Sequence, residues 1–288
     1  AHGLLASFGI LWFFLTLSVE SSVIPIRDVI FEHRLYLPSV GAFVAFSAGA
    51  FYFLDRAKIK NLSAAAAILA LLTALPLGAA AYKRNYVWQD EVRLWEDTVK
   101  KSPRDARARN SLGLAYNKRG MTDEAIRELK EVLKLSYGYA NAHNNLGLAY
   151  LRQGRLAEAI GQLRLAVKFD PGYVDAHNNL GNAYAATGMI LKAVEELELV
   201  VKLAPHVGEG HGNLGNAYAM LGRTDEAIAE YREALRLRPD LVDTHLNLAL
   251  AFAAKGMRDE ALRELEIVLR LNPGDGEALK LRASLTGR

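Results

Sequence analysis

Four of the seven histidines, His143, His177, His211 and His245, recur at one regular interval. A second row follows two places behind them: Asn145, Asn179, Asn213 and Asn247, with Ser111 as a weak first rung. Imidazoles can ligate a transition metal, but ligands must converge within about 2 Å of one ion. Equivalent places in successive repeats of a helical stack are displaced by about two helix diameters, each ~10 Å. The histidines therefore read as packing residues, and neither a metal nor a cofactor is expected. A primary amide both donates and accepts hydrogen bonds. A row of amides can follow an extended polypeptide backbone whatever its side chains; it can equally bond to neighbouring helices, as buried polar groups generally do. Both readings stand at this stage. Asn110, Asn182 and Asn216 join Asn145, Asn179, Asn213 and Asn247 as candidate groove residues.

The rows belong to a larger period. Gly120, Gly154, Gly188, Gly222 and Gly256 keep a step of 34 residues, as do Ala125, Ala159, Ala193, Ala227 and Ala261, and Pro171, Pro205, Pro239 and Pro273. Each unit reads as a first helix (A), a corner glycine suited to positive φ, a second helix (B) and a closing proline. Thr122, Thr224 and the acids after them are expected to cap the B helices. Gly113, Gly147, Gly181, Gly215 and Ala249 should let A and B approach closely, facing Ala125 and its equivalents. With Leu-Gly-x-x-Tyr early, a mid-repeat alanine and a closing proline, the unit resembles the tetratricopeptide repeat. The resemblance implies an all-α, right-handed superhelical solenoid, with five repeats over 104–275 and a solvating helix over 276–288. Residues 86–103 read as a half-repeat or linker helix with Val92, Trp95 and Val99 on one face. The resemblance also implies a concave groove that holds a polypeptide. The asparagine ladder is similar to that of O-linked N-acetylglucosamine transferase, which holds acceptor peptides. A chaperone-binding carboxylate clamp would need Lys where Asn110 stands and Asn where Leu114 stands, so that specificity is not expected.

Ahead of the repeats the composition changes. Residues 1–85 are apolar over long runs and read as a membrane region of about three helices, at 3–18, 40–54 and 63–82. The last carries Pro76 and ends at Tyr82, Tyr86 and Trp88, where interfacial aromatics belong. Arg56, Lys58 and Lys60 make the loop between the second and third runs the cytoplasmic candidate; Lys83, Arg84 and Arg93 pull the other way. On that reading the chain sits in a bacterial inner membrane with the repeats in the periplasm. It starts at Ala1 inside an apolar run, which reads as the C-terminal piece of something longer.

The loop 19–39 interleaves charges with Ile24, Ile26, Val29, Ile30 and Phe31, as a segment lying at or dipping into a membrane would. Its run Glu32-His33-Arg34-Leu35-Tyr36-Leu37-Pro38-Ser39-Val40-Gly41 resembles a segment of the transmembrane-and-tetratricopeptide-repeat O-mannosyltransferases, with His33 inserted between Glu32 and Arg34. That resemblance implies a lipid-donor glycosyltransferase parent, with Glu32 or Arg34 contacting a lipid-linked phosphate; alternatively the two side chains pair with each other. The family's catalytic acids lie in an earlier loop, so this segment alone is expected to catalyse nothing.

Composition narrows the remaining classes. There is no cysteine, hence neither a disulfide nor a thiolate metal site. A net charge of +3, with bases and acids interleaved, does not suggest nucleic acid. Arg107, Arg109, Lys118 and Arg152 cluster toward the start of the groove; Asp175, Glu209 and Asp243 follow. Two functions remain: a membrane-anchored module that presents protein acceptors to a glycosyltransferase, or a non-enzymatic scaffold for an envelope protein complex.

Overall fold

The computed structural model describes Arg56 and residues 90–287. The proposed membrane spans, the loop 19–39, Glu32, Arg34, Lys58 and Lys60 lie outside the described residues. No helix among the described residues is long and apolar enough to cross a membrane. The chain divides into two units, Ala1–Leu94 and Trp95–Arg288, and the repeats belong wholly to the second.

The described residues are α-helical, with no strand among them. Helix α1 (Glu91–Lys101) is followed by five A–B pairs: α2 (Ala106–Lys118) with α3 (Thr122–Leu135), α4 (Ala140–Arg152) with α5 (Leu156–Phe169), α6 (Val174–Ala186) with α7 (Ile190–Leu203), α8 (Gly208–Met220) with α9 (Thr224–Leu237), and α10 (Val242–Ala254) with α11 (Arg258–Leu271); α12 (Gly276–Thr286) closes the stack. Within the segment read as a half-repeat or linker helix, α1 begins at Glu91. The Asp90 carboxylate accepts from the Val92 and Arg93 amides and so starts it there.

The A–B corners follow one plan. The corner glycines sit at φ of 72–76°, a region that costs glycine no Cβ clash. The amide beyond each glycine donates back to the tyrosine or phenylalanine carbonyl near the end of helix A, as Met121 does to Tyr116 at 3.0 Å. The B helices have no side-chain cap. Thr122 and Thr224 are already helical, and their hydroxyls donate back to the Gly120 and Gly222 carbonyls. The expected threonine caps are therefore absent, because the corner glycine turns the chain one residue too early for them. Side-chain caps appear at the two ends of the full-repeat array, where Asp105 and Asp275 accept from the first-turn amides of α2 and α12.

Close packing of A on B rests on a glycine opposite a large residue. A Cβ on Gly113, Gly147, Gly181 or Gly215 would stand 2.6–2.7 Å from Leu129, Leu163, Leu197 or Tyr231. The large side chain on helix B is thus the main partner, and the alanine expected there contributes backbone: the Ala159 and Ala193 carbonyls lie 3.4 and 3.3 Å from the same points. Each such leucine is fully buried, which is worth about 1.5–3 kcal/mol. Leu163, Leu197 and Tyr231 join Tyr184, Tyr218 and Phe252 in a core that runs through the central repeats.

Every A helix packs on its own B helix, and every B helix from α3 on packs on the following A helix. Successive A helices also touch one another, whereas no two B helices do among the described residues. The A layer is therefore the inner one. At 100° per residue, Arg107, Asn141, Asp175, Glu209 and Asp243, with Leu148, Asn182, Asn216 and Leu250 about two turns further on, share one A-helix face that lies about 100–120° round from the glycine packed on helix B.

Candidate functional site

The asparagine ladder is an inter-repeat zipper. Asn145 donates from Nδ2 to Asn110 Oδ1 at 3.0 Å, Asn179 to Asn144 at 2.9 Å, and Asn213 to Asn178 at 2.8 Å. Asn247 donates to Asn216 at 2.9 Å. The last link shifts partner because Gly212 stands where the earlier repeats have Asn110, Asn144 and Asn178. Of the ladder amides, Asn145 is buried together with Asn110, while Asn179, Asn213 and Asn247 are half-buried. Each uses one amide hydrogen in this way, and among the described residues its carbonyl oxygen and second hydrogen have no partner.

Asn182 and Asn216 are exposed on the inner face. Asn182 makes no side-chain hydrogen bond among the described residues. Asn216 accepts from the Tyr231 hydroxyl at 2.8 Å as well as from Asn247. Burial pushes the Tyr231 phenol up to about 12, so it stays a donor. Asn144 and Asn178, the acceptors of the zipper, are not singled out by the sequence reading. A signal for them exists, since the doublets Asn144-Asn145 and Asn178-Asn179 recur at the repeat step. Asn117, also missed, is buried and donates to the Asn145 carbonyl at 2.9 Å; its own carbonyl oxygen has no partner among the described residues.

The charged residues divide differently from the sequence reading. Arg109 is not a groove residue: it turns back toward helix B, donating from Nε to the Pro103 carbonyl at 2.7 Å and pairing with Glu128. Arg107 and Arg152 are exposed. Further along, Asp175 and Asp243 are exposed, while Glu209 pairs with Arg238 at 2.6 Å.

The four histidines occupy the same repeat position as Arg109, and each is held between its paired B helix and the corner that closes the preceding repeat. Nδ1 of His177, His211 and His245 lies 2.6, 2.7 and 2.6 Å from Glu196, Glu230 and Glu264 on the paired B helix. Nε2 of each lies 3.0–3.1 Å from the carbonyl of the preceding corner proline, Pro171, Pro205 or Pro239. His143 meets Gln162 and the Tyr137 carbonyl, both at 2.8 Å, and stacks on Phe169. Packing alone does not describe these rings: all are buried with both nitrogens engaged.

Helix α1 is tied to the stack by Glu96, which accepts from the Tyr116 hydroxyl at 2.7 Å. The same bond joins Glu198 to Tyr218 between full repeats. Glu96 thus occupies the B-helix position of Glu198. Burial and then the carboxylate raise both phenols, Tyr218 to about 12.

Comparison with known proteins agrees with this geometry. Sequence profiles for the tetratricopeptide repeat match residues 92–129, 118–174 and 174–207, and a further TPR-repeat profile matches 215–256. No curated protein sequence matches the chain. Among solved structures, MamA of strain AMB-1 is 27% identical, with a TM-score of 0.52 over 58% of this chain and 98% of that one. A thermophilic TPR protein of Thermus thermophilus is 25% identical, with a TM-score of 0.50 over 63% and 97%. YrrB, a TPR protein with an unusual peptide-binding site, shares the fold at 20% identity and a TM-score of 0.54 over 65% and 96%. With the 34-residue period, the corner glycines and the glycine-on-leucine packing, these matches place the chain among the tetratricopeptide-repeat proteins.

Proposed function

We propose that the inner face of the array binds an extended stretch of polypeptide and grips its backbone with asparagine amides. One observation carries this reading: Asn182 presents a whole amide on the inner face, exposed and unbonded, in line with exposed Asn216 one repeat on. The half-bonded ladder amides lie beside them. Arg107 and Arg152 toward the first repeats, with Asp175 and Asp243 toward the later ones, favour a ligand acidic at one end and basic at the other. Asn182→Ala should weaken binding on an array of short unstructured peptides roughly fivefold, the equivalent of ~1 kcal/mol for one net hydrogen bond. The melting temperature should not move. Unchanged binding across the whole array would remove Asn182 from the site.

We also propose that the chain is the C-terminal part of a polytopic, lipid-donor glycosyltransferase whose periplasmic repeats hold protein acceptors. What supports this is the resemblance of residues 31–41 to the O-mannosyltransferase segment and the order of an apolar region before the repeats. Glu32 and Arg34 are the candidates for contact with the lipid-linked phosphate. Further upstream spans with an acidic pair in an early loop would favour this reading over a non-enzymatic envelope scaffold. Transfer of sugar by the 288-residue chain alone would contradict the assignment of catalysis to the upstream part.

A further inference from the structure

The position shared by Arg109 and the four histidines follows a pattern of its own. In the first repeat a permanent cation, Arg109, bridges Glu128 and the Pro103 carbonyl. In the second a histidine faces a neutral amide, Gln162, and a carbonyl. In the last three a histidine faces a carboxylate and a carbonyl, with side chains 7–8% exposed. A carbonyl and a carboxylate only accept hydrogen bonds, whereas a glutamine amide can turn to donate or accept. A neutral imidazole has one donor and one acceptor nitrogen. It therefore satisfies the His143 site but fails at the other three, where a lone pair would point at an oxygen. Each of those three sites needs one more proton, and when it is present the site reproduces the Arg109 bridge.

We propose that His177, His211 and His245 are proton-operated latches: each holds one proton between imidazole and glutamate, and so ties helix A to helix B and to the preceding corner. When the proton leaves to solvent, the imidazolium becomes neutral imidazole. Nδ1 keeps its hydrogen on Glu196, Glu230 or Glu264, the stronger acceptor, but Nε2 then faces the proline carbonyl with two lone pairs opposed. The corner loses its buried tie and the last three repeats slacken. Repeats one and two, held by Arg109 and by the His143–Gln162 pair, do not respond.

The surrounding groups support the retained proton. Glu264 raises His245 above its ordinary value, helped by the Pro239 carbonyl and opposed by burial. From the A helices, Tyr184 near Glu196 and Tyr218 near Glu230 are phenols pushed upward by burial, so they bring no charge. The sign follows from the raised group. The native state binds more protons than the unfolded chain, so the stabilisation is complete below the unfolded value and is lost as pH rises through the folded one.

The test uses the full chain and its E196Q/E230Q/E264Q variant, which copies the His143–Gln162 site three times. Between about pH 6 and about pH 9, where histidine changes charge, the wild-type melting temperature should fall by several degrees and that of the variant should stay nearly level. Nitrogen NMR of the wild-type imidazoles should show both nitrogens of His245 protonated on the acid side of neutrality. Equal slopes for the two proteins would overturn the proposal. If the variant does not fold, the wild-type spectrum decides, and a neutral-tautomer signal for His245 on the acid side of neutrality would overturn it.

Discussion

Asn145 and Asn182 carry the same amide into opposite surroundings, and substituting them separates stability from binding. Asn145→Ala leaves the buried Asn110 oxygen without its donor. It should cost about 1–3 kcal/mol of stability, read as a lower urea midpoint. Asn182→Ala should leave that midpoint in place and weaken the peptide complex. Sequence names both because the period marks them, yet it does not tell them apart. Which amide faces a neighbour depends on the acceptor 35 residues earlier, and a row read one position at a time does not include that acceptor. The histidines show the same lapse. Glu196, Glu230 and Glu264 stand 19 residues after His177, His211 and His245, at the repeat step, but a reading confined to one helix of each pair does not connect them.

At the scale of the element, glycine sets how closely a pair can close. A Cβ on Gly181 would meet Leu197 at 2.7 Å and the Ala193 carbonyl at 3.3 Å, with Leu197 1% exposed and unable to swing into solvent. Gly181→Val should cost about 1–3 kcal/mol by overpacking and loosen α6 from α7. In a stack held by nearest-neighbour interfaces, that should uncouple the two ends into separate melting steps. A single sharp transition at the wild-type temperature would mean that the pair tolerates the branch. Helix type, corner glycines and the order of pairs are legible in the sequence because each rests on local chemistry repeated five times. The missing threonine caps are not, since they turn on one residue of backbone geometry, the residue after each corner glycine.

For the whole molecule, an inner layer of touching A helices and an outer layer of separated B helices follows from packing that no single repeat contains. Sequence points to it through the resemblance to a known repeat rather than through any one motif. The proposed periplasmic placement makes a separate prediction. Protease added to cells with a permeabilised outer envelope and an intact inner membrane should digest the repeats; protection would put them on the cytoplasmic side. Backbone recognition by the inner face is the central claim, and one titration tests it most directly. A peptide that binds the full chain is compared with a scrambled peptide of the same composition and end charges, and with a copy N-methylated along its backbone. Recognition through asparagine amides predicts that scrambling largely preserves the affinity and that methylation, which removes backbone donors, abolishes it. A methylated peptide that binds as tightly as the original would contradict backbone recognition.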